Sequence, residues 1–190
     1  PCLRAWRVRA RKVQKLFRFM RAHQTQNFPQ AVGDCVHDKS VTNIRAIQGR
    51  AEHAEILGTL HGTGFSDPWS SEEFATLLGQ PGVAAWISES TEPNGFILVR
   101  AAADEAEILT LTVVPERRKT GIGALLLRTA CEVLRASGTK QIFLEVSAKN
   151  AAAIALYQTA GFAQRGMRPA YYGGGKKSEA VDAIIMAKTL

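Results

Sequence analysis

The chain has no run of eighteen apolar residues, so nothing in it reads as a membrane-spanning helix. It has only three cysteines, Cys2, Cys35 and Cys131. An odd number at wide spacing makes neither a disulfide framework nor a zinc pattern, and it suits a reducing compartment, so a cytoplasmic location is expected. The four histidines, at positions 23, 37, 53 and 61, do not group with cysteine at metal-ligand spacing, and no metal is expected. His53 and His61 read as surface or helix-end residues, and Cys131 as a small buried hydrophobe. Acid is missing from residues 1–33, which hold eight basic residues; 16 basic residues then face 17 acidic ones in the remainder. The net charge of +7 is therefore a property of the N-terminal segment. The near-neutral body gives no indication of a nucleic-acid face.

That segment carries Leu3, Trp6, Ala10, Val13, Phe17 and Met20 as one apolar stripe at helical spacing. Such a helix suits an anionic membrane surface, RNA, or packing on the body. It is Arg-rich like an organellar presequence but has no serine. It is read as an appended segment without a catalytic part. Residues 22–40, polar with Pro29 and Gly33, read as a linker, which puts the extension at 1–40 and a single domain at 41–190. Oligomeric state is not legible.

What is there is concentrated in two stretches. The first runs from Thr110 to Leu127: a β-branched strand, a short basic loop, and a helix whose first turn holds Gly121 and Gly123. A helix N-terminus presents free N–H groups and partial positive charge, and glycines there let a phosphate reach the backbone. The P-loop pattern and the G-x-G-x-x-G fingerprint both fail, because Leu126 stands where each needs its last glycine. Arg118, Gly121 and Gly123 remain as R-x-x-G-x-G. A glycine-bearing helix start with no ligand is the alternative. Glycine costs roughly 1 kcal/mol against alanine inside a helix, and two of them in one turn favour the ligand.

The second stretch begins with a strand, Gln141–Ser147, with Ile142, Leu144 and Val146 on one face and Phe143, Glu145 and Ser147 on the other. Glu145 is there either as solvent-facing decoration or as a partly desolvated base. A helix follows, capped by Asn150 and ended near Gly161, with Ile154 and Tyr157 on its stripe. A tyrosine so placed is more often core than catalyst.

The R-x-x-G-x-G loop resembles the coenzyme A loop of the GCN5-related N-acetyltransferases. Leu144-Glu145-Val146, the Asn150–Tyr157 block, Gly161-Phe162, Tyr171-Tyr172 and Asp182–Met186 resemble the RimI branch of that family. Phe65–Ser70 is similar to the branch's F-P-W-S segment with two extra residues, and Arg118 stands where Gln is also common. The resemblance covers about residues 41–190.

It implies a mixed, mostly antiparallel α/β sheet with helices on both faces, whose two strands beside the loop splay apart for acetyl-CoA. Leu111, Thr112 and Val113 would bond the pantetheine arm. Arg118, Lys119, Thr120, Gly121, Ile122, Gly123 and Ala124 would hold the pyrophosphate, mostly through main-chain N–H groups, and Asn150 would touch the cofactor. Glu145 would be the general base, Tyr157 the general acid, and Tyr171, Tyr172 and Trp69 would shape the acceptor pocket. The implied acceptor is a protein N-terminus, the N-terminal alanine of a small-subunit ribosomal protein. Lysine side chains or small amines are the alternative acceptors, and an acyl-CoA-binding module without turnover is a third reading, disfavoured by the presence of both Glu145 and Tyr157.

The remaining pattern gives the order β-α-α-β-β-β-α-β-α-β-β. Val41–Ile47 reads as the first strand and Arg50–His61 as a helix; Pro68-Trp69 opens a second helix, with Ser70 and Glu73 as a capping box. Strands Val83–Ser88 and Phe96–Ala102 are expected to join around Pro93-Asn94-Gly95. Glu107–Val114, the helix from Gly121 to Gly138, and a last pair, Met167–Tyr172 and Ala180–Ala187, complete the body, with Gly173–Lys177 as a hairpin tip.

Overall fold

A computed structural model describes residues 45–172 and 180–190. The expected extension, its linker, residues 41–44 and the whole hairpin tip lie outside the described residues. Seven strands form one sheet in the order β1-β2-β3-β4-β5-β7-β6. They are β1 (Arg45–Gly49), β2 (Val83–Glu89), β3 (Pro93–Ala102), β4 (Glu105–Val113), β5 (Gln141–Ser147), β6 (Ala163–Tyr172) and β7 (Val181–Thr189). The helices are α1 (Ala54–Gly62), α2 (Ser71–Leu78), α3 (Ile122–Ala136) and α4 (Ala151–Thr159). The element order is the expected one. Strands β2, β3 and β4 follow one another through short turns and pair antiparallel. Strands β4 and β5 are parallel because α3 carries the chain back between them.

β3 is buried along nearly its whole length because helices cover both faces of the sheet. Its alternate side chains feed two cores. Ile97 and Val99 pack with Leu126, Leu134, Leu144 and Tyr157 under α3 and α4. Phe96 and Leu98 pack with Leu57, Leu60 and Phe74 under α1 and α2. Ser70 and Glu73 form the expected capping box of α2. Gly138, at φ +89°, follows the end of α3 in the left-handed region that glycine tolerates. Among the described residues no helix is long and apolar enough to cross a membrane.

Four expectations are corrected. The first helix begins as a 3-10 turn, Ala51–His53, before α1. β6 starts at Ala163, four residues ahead of the expected Met167. Pro93-Asn94-Gly95 is not the turn but the start of β3. Asn94 is buried; its Oδ1 accepts from Ser88 Oγ at 3.0 Å and its Nδ2 donates to Ser90 Oγ at 3.4 Å. A Cβ on Gly95 would lie 2.8 Å from the Thr112 carbonyl oxygen, so this glycine serves a close strand approach. His61 stands at a helix end, one of its two expected readings, but not on the surface: it is 3% exposed and sits under the α1–α2 loop. Its Nδ1 accepts from the Trp69 N–H at 3.0 Å, and its ring stacks on Phe65 and Trp69 with centroids 4.0 and 5.1 Å away.

Candidate active site

The parallel ladder between β4 and β5 holds only from Glu105–Gln141 to Ile108–Leu144. β4 continues to Val113 along β3, and β5 to Ser147 along β7, but they no longer pair with each other. A bulge explains the divergence. Leu98 faces Thr110 while Val99 faces Ile108, which leaves Leu109 as an extra residue in β4. The sheet therefore opens into a wedge whose apex lies at Ile108 and Leu144. Leu111, Thr112 and Val113 lie on the wedge side of that apex.

The basic loop stands at the mouth of the wedge. Pro115–Arg117 forms a 3-10 turn, Lys119 has φ +62° and Gly121 φ +90°, and α3 starts at Ile122. No side chain caps α3, so the N–H groups of its first turn are open to an anion. Arg118 is anchored at the loop by its Nε, which donates to the Val113 carbonyl at 3.1 Å. Ile122 is 1% exposed, so only its main chain is available to a ligand. The two glycines have different causes. Gly121 is fixed by its positive φ, whereas a Cβ on Gly123 would point at Leu156, 3.2 Å from Cδ2. Gly123 thus serves the close approach of α3 to α4.

Glu145 is the first residue of β5 past the apex. It lies on the face opposite Leu144, toward α1 and α2, with 16% of its side chain exposed. Its Oε1 is 3.1 Å from Arg168 Nε on β6, an ion pair that reaches over β7. Arg168 also stands over the Tyr171 ring, 5.6 Å from Cζ to centroid. Tyr157 comes from the other face: it is 7% exposed, on α4, against Phe162 at 5.7 Å. Glu145 and Tyr157 therefore belong to opposite faces of the sheet. Asn150 caps α4, its Oδ1 accepting from the Ala153 N–H at 3.1 Å. Trp69 is half-buried in the α1–α2 loop, and the Tyr172 side chain lies outside the described residues.

Sequence reasoning missed Arg100, Glu107 and Arg168. Arg100 is 8% exposed, and its Nη2 donates to Glu107 Oε2 at 2.9 Å. Burial raises the Glu107 carboxyl above its ordinary value, the Arg100 charge opposes the rise, and smaller effects from Glu145 (raising) and Arg168 (lowering) tie the four groups into one network. A signal was available: a lone arginine inside the run Phe96-Ile97-Leu98-Val99-Arg100 demands a buried acid.

A split sheet with an uncapped helix start at its mouth, a carboxylate on one side and a tyrosine on the other, is the architecture of an acyltransferase. The family model described as the acetyltransferase (GNAT) family matches residues 52–162, and the chain belongs to that family. It is an acetyl-CoA-dependent N-acetyltransferase. Over 120 residues it is 35% identical to the [ribosomal protein bS18]-alanine N-acetyltransferase of Escherichia coli K12, covering 63% of this chain and 80% of the relative. A putative enzyme of the same name from Bacillus subtilis is 27% identical over 143 residues, 74% of this chain and 92% of the relative. The crystal structure of the Escherichia coli ribosomal-protein-S18-alanine N-acetyltransferase superposes with a TM-score of 0.71 at 28% identity, covering 77% of this chain and 93% of that one. Arabidopsis thaliana NAA60 in complex with acetyl-CoA shares the fold, with a TM-score of 0.67 at 20% identity over 78% of this chain and 99% of that one.

Proposed function

We propose that the protein acetylates the N-terminal α-amine of another protein, in keeping with its likeness to alanine N-acetyltransferases of a small-subunit ribosomal protein. The observation that carries the reading is the place of Glu145, one residue beyond the point where β4 and β5 part. Acetyl-CoA supplies an activated acetyl thioester. Leu111, Thr112 and Val113 offer main-chain groups to its arm. Lys119, Thr120, Gly121, Ile122, Gly123 and Ala124 offer amides to its diphosphate, and Arg118 adds charge. The carbonyl oxygen of the Asn150 side chain is used by the α4 cap, which leaves its NH₂ to donate to the cofactor.

The attacking amine must be neutral. A peptide α-amine has a pKa of about 7.7–8.0 and a lysine about 10.4, so at neutral pH the α-amine is deprotonated several hundred-fold more readily. Glu145 accepts the amine proton, directly or through a water. Tyr157, from the other face of the sheet, gives a proton to the departing thiolate. The phenol, near 10, and a thiol, near 8.5, are close enough for that transfer. Tyr171 and Trp69 would line the acceptor side.

The test is a panel of acetyl-CoA with Ala-starting peptides, N-blocked lysine peptides and polyamines. Rates on the α-amine peptides should lead by at least tenfold. Equal rates on lysine would refute the reading.

A further inference from the structure

We propose that Asp182 is a positioning residue of the acceptor wall, holding a bulge in β6 that brings Arg168 and Tyr171 to one side of the sheet beside Glu145. The inference rests on the assignment of Glu145 and Tyr171 to the acceptor side.

Arg168 and Tyr171 are three residues apart, and in a regular strand they would point to opposite faces. They do not, since the Arg168 guanidinium sits 5.6 Å from the Tyr171 ring centroid. The register shows why. Arg168 pairs with Ala183 and Tyr172 with Val181, so Pro169, Ala170 and Tyr171 stand opposite Asp182 alone. Within this bulge Ala170 has φ +53°, the left-handed region that an alanine resists. What holds it is the Asp182 carboxylate, whose Oδ1 accepts from the Ala170 N–H at 2.9 Å. A carboxylate acceptor makes this a strong bond. The main chain of Asp182 is tied in turn to the end of β5, its carbonyl accepting from the Ala148 N–H at 2.9 Å. One residue thus links the strand that carries Glu145 to the bulge that aims Arg168 at it, 3.1 Å away.

Without the Asp182 carboxylate the strain at Ala170 is unopposed and the bulge relaxes. The test uses the full chain with Asp182→Ala, Asp182→Asn, Ala170→Val, and Asp182→Ala combined with Ala170→Gly. KM is measured for an Ala-starting peptide and for acetyl-CoA, and exchange of the residue-170 amide by NMR. Asp182→Ala should raise the peptide KM by about tenfold, leave that for acetyl-CoA unchanged, and speed amide exchange by about a hundredfold. Asp182→Asn, which keeps an acceptor oxygen, should stay within about threefold of wild type. Glycine at 170 should restore part of the loss, since it accepts the positive φ. Ala170→Val strains the bulge without touching Asp182 and should raise the peptide KM alone, which covers the case where Asp182→Ala does not fold. An unchanged peptide KM with a fast-exchanging amide overturns the positioning role, and an amide still protected in Asp182→Ala overturns the latch itself. If wild type fails to acetylate the peptide, the proposed function falls, and the exchange arm still decides whether the latch exists.

Discussion

Glu107 is a carboxylate held in a place that disfavours its charge. Burial raises its pKa against the pull of Arg100, so the fold prefers its protonated form more than the unfolded chain does. The sign follows from linkage: a raised folded value contributes stability below the ordinary carboxylate range and loses it as pH rises through the raised value. The carboxyl ¹³C signal of Glu107 should titrate above the usual range, and Arg100→Met should push it higher by removing the counter-charge. In urea melts the advantage of wild type over Glu107→Gln should shrink from pH 4 to pH 8; an advantage that grows would show that Arg100 outweighs burial. Tyr157 meets a different demand, because the proposed acid is also part of the core under α4. Removing only its hydroxyl leaves the packing with Phe162 intact. Tyr157→Phe should lower kcat by roughly a hundredfold or more while acetyl-CoA binding by calorimetry is retained. Undiminished turnover would take Tyr157 out of the acid role.

At the scale of elements, the start of α3 separates two glycines that look alike in sequence. An alanine at Gly121 would have to adopt φ +90°, at a cost of about 1–2 kcal/mol. An alanine at Gly123 gains helix propensity of about 1 kcal/mol, which offsets a contact with the side-chain end of Leu156. Gly121→Ala should therefore lower Tm and raise the acetyl-CoA KM, whereas Gly123→Ala should change Tm little; equal losses would show that α3 and α4 cannot adjust. Features set by neighbours in the chain were legible. The Asn150 cap, the α2 capping box and the alternation of β5 depend on residues within one turn or one pleat. Features set by distant partners were not. The Glu145–Arg168 pair joins strands that are not adjacent, His61 is buried between Phe74 and Phe96 of the core and the Phe65–Trp69 loop that folds over it, and Pro93-Asn94-Gly95 mimics a turn while its glycine answers β4. The wedge follows from the extra residue Leu109, which the pattern of β4 does not reveal because burial alternates straight through it.

In the whole molecule, four paired positions of β4 and β5 are the only ladder joining the β1–β4 half of the sheet to the β5–β7 half among the described residues. The two catalytic candidates lie one on each face, and the match to the acetyltransferase family, residues 52–162, contains both. The basic surplus lies elsewhere: residues 1–33 hold eight of the 24 basic residues and no acid, so without them the chain would carry 16 basic against 17 acidic residues. If catalysis belongs to the sheet and its helices, deleting residues 1–33 should leave kcat/KM for a short Ala-starting peptide within about threefold of wild type. Charge should act instead on encounter with a charged acceptor, where long-range forces are screened over about 8 Å at physiological ionic strength. With a strongly basic acceptor peptide, the full chain should gain rate as salt rises from 20 to 200 mM, because screening weakens like-charge repulsion. The truncated chain, near neutrality, should respond weakly. Stopped or steady-state assays of both chains at the two salt concentrations check this, and a collapse of kcat/KM on the short peptide after truncation would make the basic segment part of the enzyme.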